Sequence, residues 1–239
     1  MNSIQVLKRL ATYPTFNINT VSNIIEKDIL YTRLYVNRLK KRGLVNQLQR
    51  NVYTVESDPL IIASRISWPS YISIWAALRY HNLTEQLPNI ITVITTQKKR
   101  RKEISLQNTA IVFEHVRPQW FFGFTKITKN DFEIFMAEPE KALIDAMLLK
   151  RISASEIYSI LQIHIKDLSK EKLVNYIMKI KNQALAKRFG WMLNSLGCQN
   201  AAKLKQITYK TVIPLDYSRP FKGKKDDEWG IIINIGDTE

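Results

Sequence analysis

The sequence predicts an α+β protein in which short helices and a β-hairpin precede a larger mixed α/β region. The main observation is an amphipathic helical pattern from Asp28 to Arg42, which Gly43 ends because glycine takes the left-handed helix cap at little cost. Two apolar runs follow, at Leu44-Val45 and Val52–Val55, and both are typical of short strands. Helices followed by two short strands form the order of a winged helix-turn-helix, so we predict that fold for the N-terminal part of the chain.

The predicted domain boundary lies near Ser57, since Asp58-Pro59 interrupts the preceding strand pattern. The chain has 239 residues, which is enough for two ordinary domains. The part after the boundary has apolar helices and strands of its own and can form a separate core. We therefore predict a winged helix-turn-helix domain at residues 1–57 and a C-terminal mixed α/β domain at residues 58–239.

Three helices are predicted before the hairpin. Ser3 can cap the first, Asn19 or Thr20 the second, and Asp28 the third. The polar residues from Gln47 to Asn51 are predicted to form the hairpin tip. The positions expected to face a core are Ile4, Val6, Leu7 and Leu10 in the first helix, Val21, Ile24 and Ile25 in the second, and Thr32, Tyr35, Val36 and Leu39 in the third.

The other side of the third helix has residue types that read DNA. Arg33, Asn37 and Lys40 lie at helical spacing on one side, with Lys41 beside them. Arginine can pair bidentately with guanine and asparagine with adenine, while lysine binds phosphates. A solvated cationic face is the alternative interpretation. The preceding helix and the following hairpin, with Arg50 near its tip, favour DNA.

Two leucines do not fit either side of this helix. Leu30 and Leu34 lie away from the apolar stripe, so the predicted core of the N-terminal domain does not account for them. Three contacts are compatible with their position: a second domain, a partner subunit, or the methyl groups of thymine.

The composition favours a polyanionic partner and a reducing compartment. The chain has 36 basic and 21 acidic residues, a formal net charge of +15, and 45% hydrophobic residues, which are enough for a core. Cys198 is the only cysteine, so neither an internal disulfide nor a cysteine-rich zinc site can form. No signal peptide, membrane span or glycine-rich phosphate loop is recognisable. We expect a cytoplasmic protein with no cofactor, no metal and no membrane partner.

Helical and strand patterns alternate through residues 58–239. The predicted helices are Leu60–Ile66, a segment from Pro69 through Ser73 to His81, a helix opened by Glu138-Pro139, and Ser153–Leu161, Ser169–Ile180 and Ala184–Leu196. The predicted strands are Ile90–Thr96, Ala110–Val116, Phe132–Ala137, Thr208–Ile213 and Trp229–Ile235, with a polar, basic loop from Pro214 to Asp227.

Five consecutive basic residues connect the first two of these strands. They are Lys98, Lys99, Arg100, Arg101 and Lys102. A solvated hairpin turn is the simpler interpretation, and a second contact with phosphates is the functional one. The same run supports a weaker hypothesis in which the chain is an RNA-binding module.

Several short motifs in this order resemble the AbiEi family of antitoxins, which belong to prokaryotic type IV toxin–antitoxin systems of phage abortive infection. The motifs that follow the winged-helix pattern are Pro69–Ser73 with Ala77-Leu78, Trp120–Phe124, Glu138–Asp145, and Pro214-Leu215-Asp216 with Trp229 and Asn234. The resemblance spans nearly the whole chain and depends on order and spacing, since no single motif is highly specific.

The resemblance implies a transcriptional repressor that binds inverted repeats in its own operon, and a C-terminal domain that antagonises a toxin with a nucleotidyltransferase fold. On this basis an adjacent toxin gene is expected, although some similar proteins are stand-alone regulators. The DNA-binding residues would be Tyr31, Arg33, Asn37, Arg38, Lys40, Lys41 and Arg50. Lys222, Lys224 and Lys225 form a candidate toxin-antagonising tail, and the run from Lys98 to Lys102 is a second candidate contact. The alternative is that the C-terminal domain only dimerises the repressor. The Glu140-Lys141 pair and Tyr71–Ser73 are interpreted as structural, at a helix start and a packing corner.

An enzyme is the alternative class, namely a nucleic-acid-processing enzyme with a winged-helix targeting domain. His81, His115 and His164 lie in unrelated elements, and none has a neighbour at metal-ligand spacing. The tightest acidic cluster is Glu138, Glu140 and Asp145; glutamates at a helix start are explained by the helix dipole, although two-metal sites also use converging carboxylates. We therefore predict no catalytic residues and no enzymatic activity.

Overall fold

The computed structural model describes residues 2–87, 89–106 and 108–235. Its α-helices are α1 (Ser3–Leu10), α2 (Ile18–Ile25), α3 (Ile29–Lys41), α4 (Pro59–Ile66), α5 (Trp75–Tyr80), α6 (Pro139–Leu148), α7 (Ala154–His164), α8 (Lys170–Ile180) and α9 (Gln183–Ser195). Its strands are β1 (Asn46–Gln49), β2 (Val52–Thr54), β3 (Ser70–Ser73), β4 (Ile90–Thr95), β5 (Glu103–Leu106), β6 (Thr109–His115), β7 (Phe124–Lys129), β8 (Phe132–Ala137), β9 (Ile213–Pro214), β10 (Lys224–Asp226) and β11 (Ile231–Ile233).

These elements confirm the predicted mixture of helices and strands in an α+β chain. Two 3-10 helices add to them, at Pro118–Trp120 and Gln199–Ile207. Within the described ranges, every helix is too short or too polar to cross a membrane.

The chain forms two compact units. The first comprises Met1–Ile72, Pro88–Val116 and Lys126–Met136, and the second comprises Ser73–Leu87, Arg117–Thr125 and Ala137–Glu239. The N-terminal helices and hairpin therefore share a compact unit with later parts of the chain. The division predicted at residue 57 coincides with the end of a small local core, which is described next. As a domain boundary it stays a prediction.

A small core joins α1, α2, α3 and the hairpin of β1 and β2. Its buried members are Val6, Leu10, Phe16, Ile18, Val21, Val36, Leu39 and Val45. Leu7, Ile24, Ile25, Tyr35, Tyr53 and Val55 pack partly buried against them. Most of the predicted inward positions are confirmed, but Ile4 is 66% exposed because α1 is short and amphipathic, and only one side of it meets the core.

The helix caps differ from the prediction in two of three helices. Asp28 accepts a hydrogen bond from the Tyr31 N–H and caps α3, as predicted. Asn2 caps α1 instead of Ser3, and Asn17 caps α2 instead of Asn19 or Thr20. Asn2 lies next to Ser3, and Asn17 lies two residues before Asn19; local preference does not separate capping residues that are this close in sequence.

The hairpin is tighter than predicted. β1 begins at Asn46 and continues to Gln49, so the polar segment predicted as a long tip is mostly strand. The tip is Arg50-Asn51, where Asn51 has φ of 60°, a conformation that asparagine tolerates better than most residues. Leu48 is buried on the inner side of β1, which explains why this polar run pairs as a strand.

The first unit contains most of a six-stranded sheet with the order β5-β6-β4-β3-β8-β7. β4 runs parallel to β6, with Ile90 opposite Ala110, and β3 runs parallel to β8. β5 is antiparallel to β6 at the edge. The predicted hairpin turn between the strands at Ile90–Thr96 and Ala110–Val116 is therefore wrong, because these strands, β4 and β6, run parallel and β5 lies between them along the chain.

The prediction of a helix from Pro69 to His81 is wrong in its first half. Ser70–Ser73 is a strand, β3, with all four residues buried. Ile74 follows with φ of 59° and separates β3 from α5. A fully buried strand has no alternation of polar and apolar residues, so its pattern resembled the start of the helix that follows it.

The second unit consists of α5 to α9 and a three-stranded sheet with the order β10-β11-β9. Helices α6 to α9 match the prediction within a few residues, with Ser153 and Ser169 as caps of α7 and α8. The tail is shorter in strand than predicted. In place of the strand predicted at Thr208–Ile213, only Ile213–Pro214 forms a strand, β9. In place of the strand predicted at Trp229–Ile235, only Ile231–Ile233 forms one, β11. The loop predicted from Pro214 to Asp227 contains strand β10.

Candidate nucleic-acid interface

Helix α3 has one buried and one exposed side. Thr32, Val36 and Leu39 are almost completely buried in the N-terminal core. The Thr32 hydroxyl donates a hydrogen bond to the Asp28 carbonyl oxygen at 2.7 Å. The hydroxyl is thereby satisfied within the helix. The exposed side of the helix is consequently held in a fixed orientation by its buried side.

A tight connection positions α3 against α2. Glu26 ends α2 in the left-handed conformation with φ of 53°. The Ser22 hydroxyl donates to the Lys27 carbonyl oxygen at 2.6 Å, and Asp28 then caps α3. Only two residues thus separate the last residue of α2 from the cap of α3, and their backbone is hydrogen-bonded to α2.

The hairpin is joined to both helices by side-chain hydrogen bonds. The Lys40 ammonium donates to Gln47 Oε1 at 2.8 Å, which ties α3 to β1. The Ile18 N–H donates to Asn51 Oδ1 at 3.1 Å, which ties the tip to α2. Phe16 and Tyr53 are joined by two backbone hydrogen bonds, each N–H donating to the carbonyl oxygen of the other residue. Helices and hairpin therefore present one continuous surface.

That surface contains a shallow cavity of about 290 Å³. It is lined by Ile18, Arg33, Leu34, Val36, Asn37, Lys40 and Tyr53. Three of the predicted DNA-binding side chains thus line one concavity, between α3 and the hairpin.

All seven predicted DNA-binding residues lie on the exposed surface. They are Tyr31, Arg33, Asn37, Arg38, Lys40, Lys41 and Arg50. Tyr31 stacks on Tyr35 one turn later, with ring centroids 6.5 Å apart. α3 contains no acidic residue, and residues 1–56 contain nine basic and three acidic residues, for a net charge of +6. The surface therefore attracts anions.

The second basic run differs from a free, fully solvated loop. Lys99 is partly buried: its ammonium lies 5.6 Å from the centroid of the Phe113 ring and donates to the Ile66 carbonyl oxygen at 3.4 Å. Burial lowers the pKa of Lys99. Arg101 Nε donates to the Glu103 carbonyl oxygen at 2.8 Å. Lys98, Arg100, Arg101 and Lys102 remain exposed, and β5, which follows the run, lies beside β1 of the hairpin within the first unit.

The candidate toxin-antagonising lysines lie in and beside β10. Lys222, Lys224 and Lys225 are exposed. Lys225 forms an exposed ion pair with Asp227 at 2.6 Å. The backbone of Lys224 and Lys225 pairs with Ile233 and Ile232 of β11. The three side chains therefore project from the small sheet of the second unit.

The motif at the start of α6 surrounds a buried ion pair. Lys141 and Asp145 are fully buried and form a short ion pair one helical turn apart. Ser73 Oγ donates to Asp145 Oδ2 at 2.8 Å, and the Lys141 ammonium lies 5.3 Å from the centroid of the Phe122 ring. Gly123 has φ of 73°, and a Cβ there would lie 3.1 Å from Lys141 Cβ. This packing agrees with a structural role for Lys141 and Ser73.

The remaining carboxylates of this motif have separate partners. Glu138 accepts hydrogen bonds from the Tyr176 hydroxyl at 2.5 Å and from Lys172 at 3.2 Å. Glu140 accepts one from the Ser169 N–H at 2.7 Å and so joins α6 to the cap of α8. Burial, and then the hydrogen bond to Glu138, raise the pKa of Tyr176. The motif thus connects helices of the second unit.

A second buried hub joins the tail to α7. Asp216 is fully buried, and its carboxylate accepts four hydrogen bonds. Two come from Ser155, from its backbone N–H at 2.9 Å and its hydroxyl at 2.5 Å. Two come from Ser218, from its backbone N–H at 2.8 Å and its hydroxyl at 2.6 Å. Asn234 pairs with the Asp216 backbone through two hydrogen bonds, at 2.7 and 2.8 Å. Burial and the nearby Asp216 carboxylate raise the pKa of Tyr217 to about 12.

The histidines are separate in the structure. The ring of His81 is hydrogen-bonded to the Ala137 carbonyl oxygen at 2.8 Å, and that of His164 to Asp167 at 3.2 Å. Across residues 2–87, 89–106 and 108–235, no three or more histidine, cysteine, aspartate or glutamate side chains are grouped as metal ligands.

No protein-family model matches the chain, and no curated protein is significantly similar to it.

Sequence reasoning missed the residues that fix the hairpin against the helices. Gln47, Asn51 and Tyr53 determine where the tip and Arg50 lie, through contacts with Lys40, Ile18 and Phe16 respectively. Asn51 at a two-residue tip was a local signal, because asparagine is favoured in such turns. The contacts of Gln47 and Tyr53 depend on tertiary structure and leave no local pattern.

Proposed function

We propose that the N-terminal helices and hairpin form a winged helix-turn-helix and that the protein is a DNA-binding transcriptional repressor of its own operon. In this proposal α3 enters the major groove, and the hairpin, as the wing, contacts the adjacent backbone or minor groove. The observation that carries the proposal is the single surface formed by Arg33, Asn37 and Lys40 next to the hairpin. Its positive charge and the absence of acidic residues on α3 favour DNA over a protein partner.

The second part of the proposal assigns the larger C-terminal region to a type IV antitoxin. It rests on the resemblance described above and on the exposed lysines Lys222, Lys224 and Lys225. A basic surface of this kind can contact an acidic face of a nucleotidyltransferase-like toxin or compete for its nucleic-acid substrate. We assign no catalytic residue and no cofactor, and we place the protein in the cytoplasm.

Footprinting of the full-length protein on the DNA upstream of its gene tests the first part directly. Protection of an inverted repeat is the expected result, because a repressor of its own operon must bind near its promoter. Absence of protection at every position, with binding no tighter than to unrelated DNA, would contradict it.

Alanine replacement of Arg33 or Asn37 is expected to relax the choice of DNA sequence. Each change should weaken binding to the preferred site by about 1–3 kcal/mol, since each removes a bidentate contact with a base. Arg50→Ala should instead weaken binding to all duplexes evenly, because a wing tip contacts the backbone or minor groove. Fluorescence anisotropy with the preferred duplex and a scrambled duplex measures both effects.

Lys203→Ala is the matched control for these substitutions, since it removes one positive charge from an exposed site in the second unit. It should bind both duplexes with nearly the affinity of the parent. If Arg33→Ala and Asn37→Ala bound the preferred duplex as tightly as the parent, α3 would not be the recognition helix.

Toxin antagonism is expected to persist without DNA binding. In cells that express the neighbouring toxin, a full-length Arg33→Ala/Lys40→Ala variant produced from an unrelated promoter should restore growth as well as the parent. The physical reason is that these side chains lie on α3, whereas the proposed toxin contact lies around β10. A variant with Lys222, Lys224 and Lys225 replaced by alanine should restore growth less well. Colony counts at equal protein levels measure the difference.

The full chain is used because the first compact unit combines residues 1–72 with later segments, so a simple truncation would divide it. If growth were lost in the Arg33→Ala/Lys40→Ala variant, protection would depend on DNA binding. The proposed division of roles would then be abandoned, and a regulator without direct antitoxin action would be the better description.

A further inference from the structure

We propose that Leu30 and Leu34 of α3 contact the C5 methyl groups of thymines and so make the helix favour A·T pairs. The proposal rests on the DNA-binding function proposed above and adds the base class that the helix selects. Both side chains are mostly exposed, Leu30 at 73% and Leu34 at 61%. Neither leucine belongs to the core of the N-terminal helices and hairpin, so that core does not account for them.

The two leucines occupy the centre of the exposed side of α3. At 3.6 residues per turn, positions 30, 34, 37 and 41 fall within a sector of about 60°. This sector lies directly opposite the buried residues Thr32, Val36 and Leu39. A helix that enters a groove by the side opposite its packed stripe brings this sector closest to the base pairs.

The charge of the residues around the leucines indicates which kind of partner this surface can bind. Arg33 and Lys40 lie on one side of the sector, and Arg38 lies on the other. A second copy of α3 would bring these positive charges together with no acidic residue on α3 to balance them, so self-association through this side is repulsive. Two leucines also cover far less than the roughly 800 Å² that each partner buries in a stable protein interface. A polyanion with apolar groups in its groove can pair with the positive charges and also offer the leucines an apolar contact.

The geometry suits thymine methyl groups in the major groove. Residues at i and i+4 are separated by about 6 Å along the helix axis, which corresponds to about two base-pair steps of B-DNA. Asn37 lies in the same sector, and asparagine pairs with adenine N6 and N7. An A·T pair presents both that adenine edge and the thymine methyl group, so Asn37 and the leucines favour the same base pairs.

Replacement of thymine by deoxyuridine tests the proposal without changing the protein. The probe is the duplex that the full-length chain selects from a randomised pool, prepared with thymine and again with deoxyuridine, which removes only the methyl groups. Loss of one buried methyl group corresponds to a several-fold loss of affinity, and loss of two to about tenfold. We expect the selected duplex to contain thymines and the parent protein to bind the uracil duplex about tenfold more weakly.

Two variants assign that difference to the leucines. The Leu30→Ala/Leu34→Ala variant should bind thymine and uracil duplexes equally, at the level at which the parent binds the uracil duplex. Leu87→Ala, which truncates a leucine that is 80% exposed in the second unit, should keep the full difference. Circular dichroism of each variant confirms that the fold is retained.

Each other outcome overturns the proposal in a distinguishable way. Equal affinity of the parent for both duplexes, or a selected site without thymines, would reject thymine contacts but leave DNA recognition by α3 intact. A change in sedimentation behaviour of the double leucine variant would identify the leucines as a protein interface. Failure of the parent to select any sequence would reject the proposed repressor function as well.

Discussion

Lys141→Ala is expected to lower the free energy of unfolding of the second unit by about 3–5 kcal/mol. The Lys141 side chain is fully buried, and its loss removes a positive charge that is paired with the equally buried Asp145 carboxylate. The cost is mainly that of removing one partner of a buried ion pair in a medium of low dielectric constant, and the truncated lysine stem adds a cavity. Urea unfolding of the full chain, followed by tryptophan fluorescence, measures the change.

Lys172→Ala is the matched control, since it breaks the ion pair of Lys172 with Glu138, in which the lysine side chain is 50% exposed. It should cost less than about 1 kcal/mol. A Lys141→Met/Asp145→Leu variant should recover much of the lost stability, because apolar residues of similar volume often replace a buried ion pair without cost. Equal effects of Lys141→Ala and Lys172→Ala would show that the buried pair has no special role.

Asp216→Ala is expected to destabilise the second unit by about 3 kcal/mol, because it deprives the backbone N–H groups of Ser155 and Ser218 of a charged acceptor and each such bond contributes about 1.5–3 kcal/mol. Burial alone would raise the pKa of the Asp216 carboxyl, but the hydrogen bonds from Ser155 and Ser218 outweigh it, so the pKa lies below its ordinary value. A carboxyl with a lowered pKa in the folded state stabilises the fold above the unfolded value of about 3.9, and this contribution is lost as the pH falls through the lowered value.

Urea unfolding at pH 7, 4 and 3 separates this contribution from the others. The parent should lose it as the pH falls below about 4, whereas Asp216→Asn should be less stable at pH 7 and lack this part of the pH dependence. Asp227→Asn, at a position that is 83% exposed, should have the pH dependence of the parent. An unchanged pH dependence in Asp216→Asn would show that the carboxylate is not held in its charged form by these bonds.

The sequence predicts the N-terminal helices well because their signals are local. Asp28 caps α3, Gly43 takes the left-handed conformation after it, and the stripe of Thr32, Val36 and Leu39 is buried as its spacing indicates. The exposure of the candidate DNA-binding residues follows from the same spacing. What they bind remains a prediction.

The sequence predicts the sheet less well because its strands depend on long-range contacts. β3 is buried on both sides and has no periodic pattern. The strand ends at Ile74 because this residue has a positive φ, and an isoleucine in the sequence does not predict that conformation. β5 has only four residues, alternating between exposed and buried, and follows a highly charged run. The order of β5, β6 and β4 requires knowledge of which strands pair, and no local pattern contains it.

The discontinuity of the first compact unit has a consequence for biosynthesis. The chain passes between the two units at residues 72, 87, 116, 125 and 136, so the first unit acquires its last residues well before the gene has been fully translated. Domains generally fold in the order in which they leave the ribosome. Once Met136 has emerged, the unit that contains the proposed DNA-binding surface has all its residues, while most of the second unit is still to be synthesised.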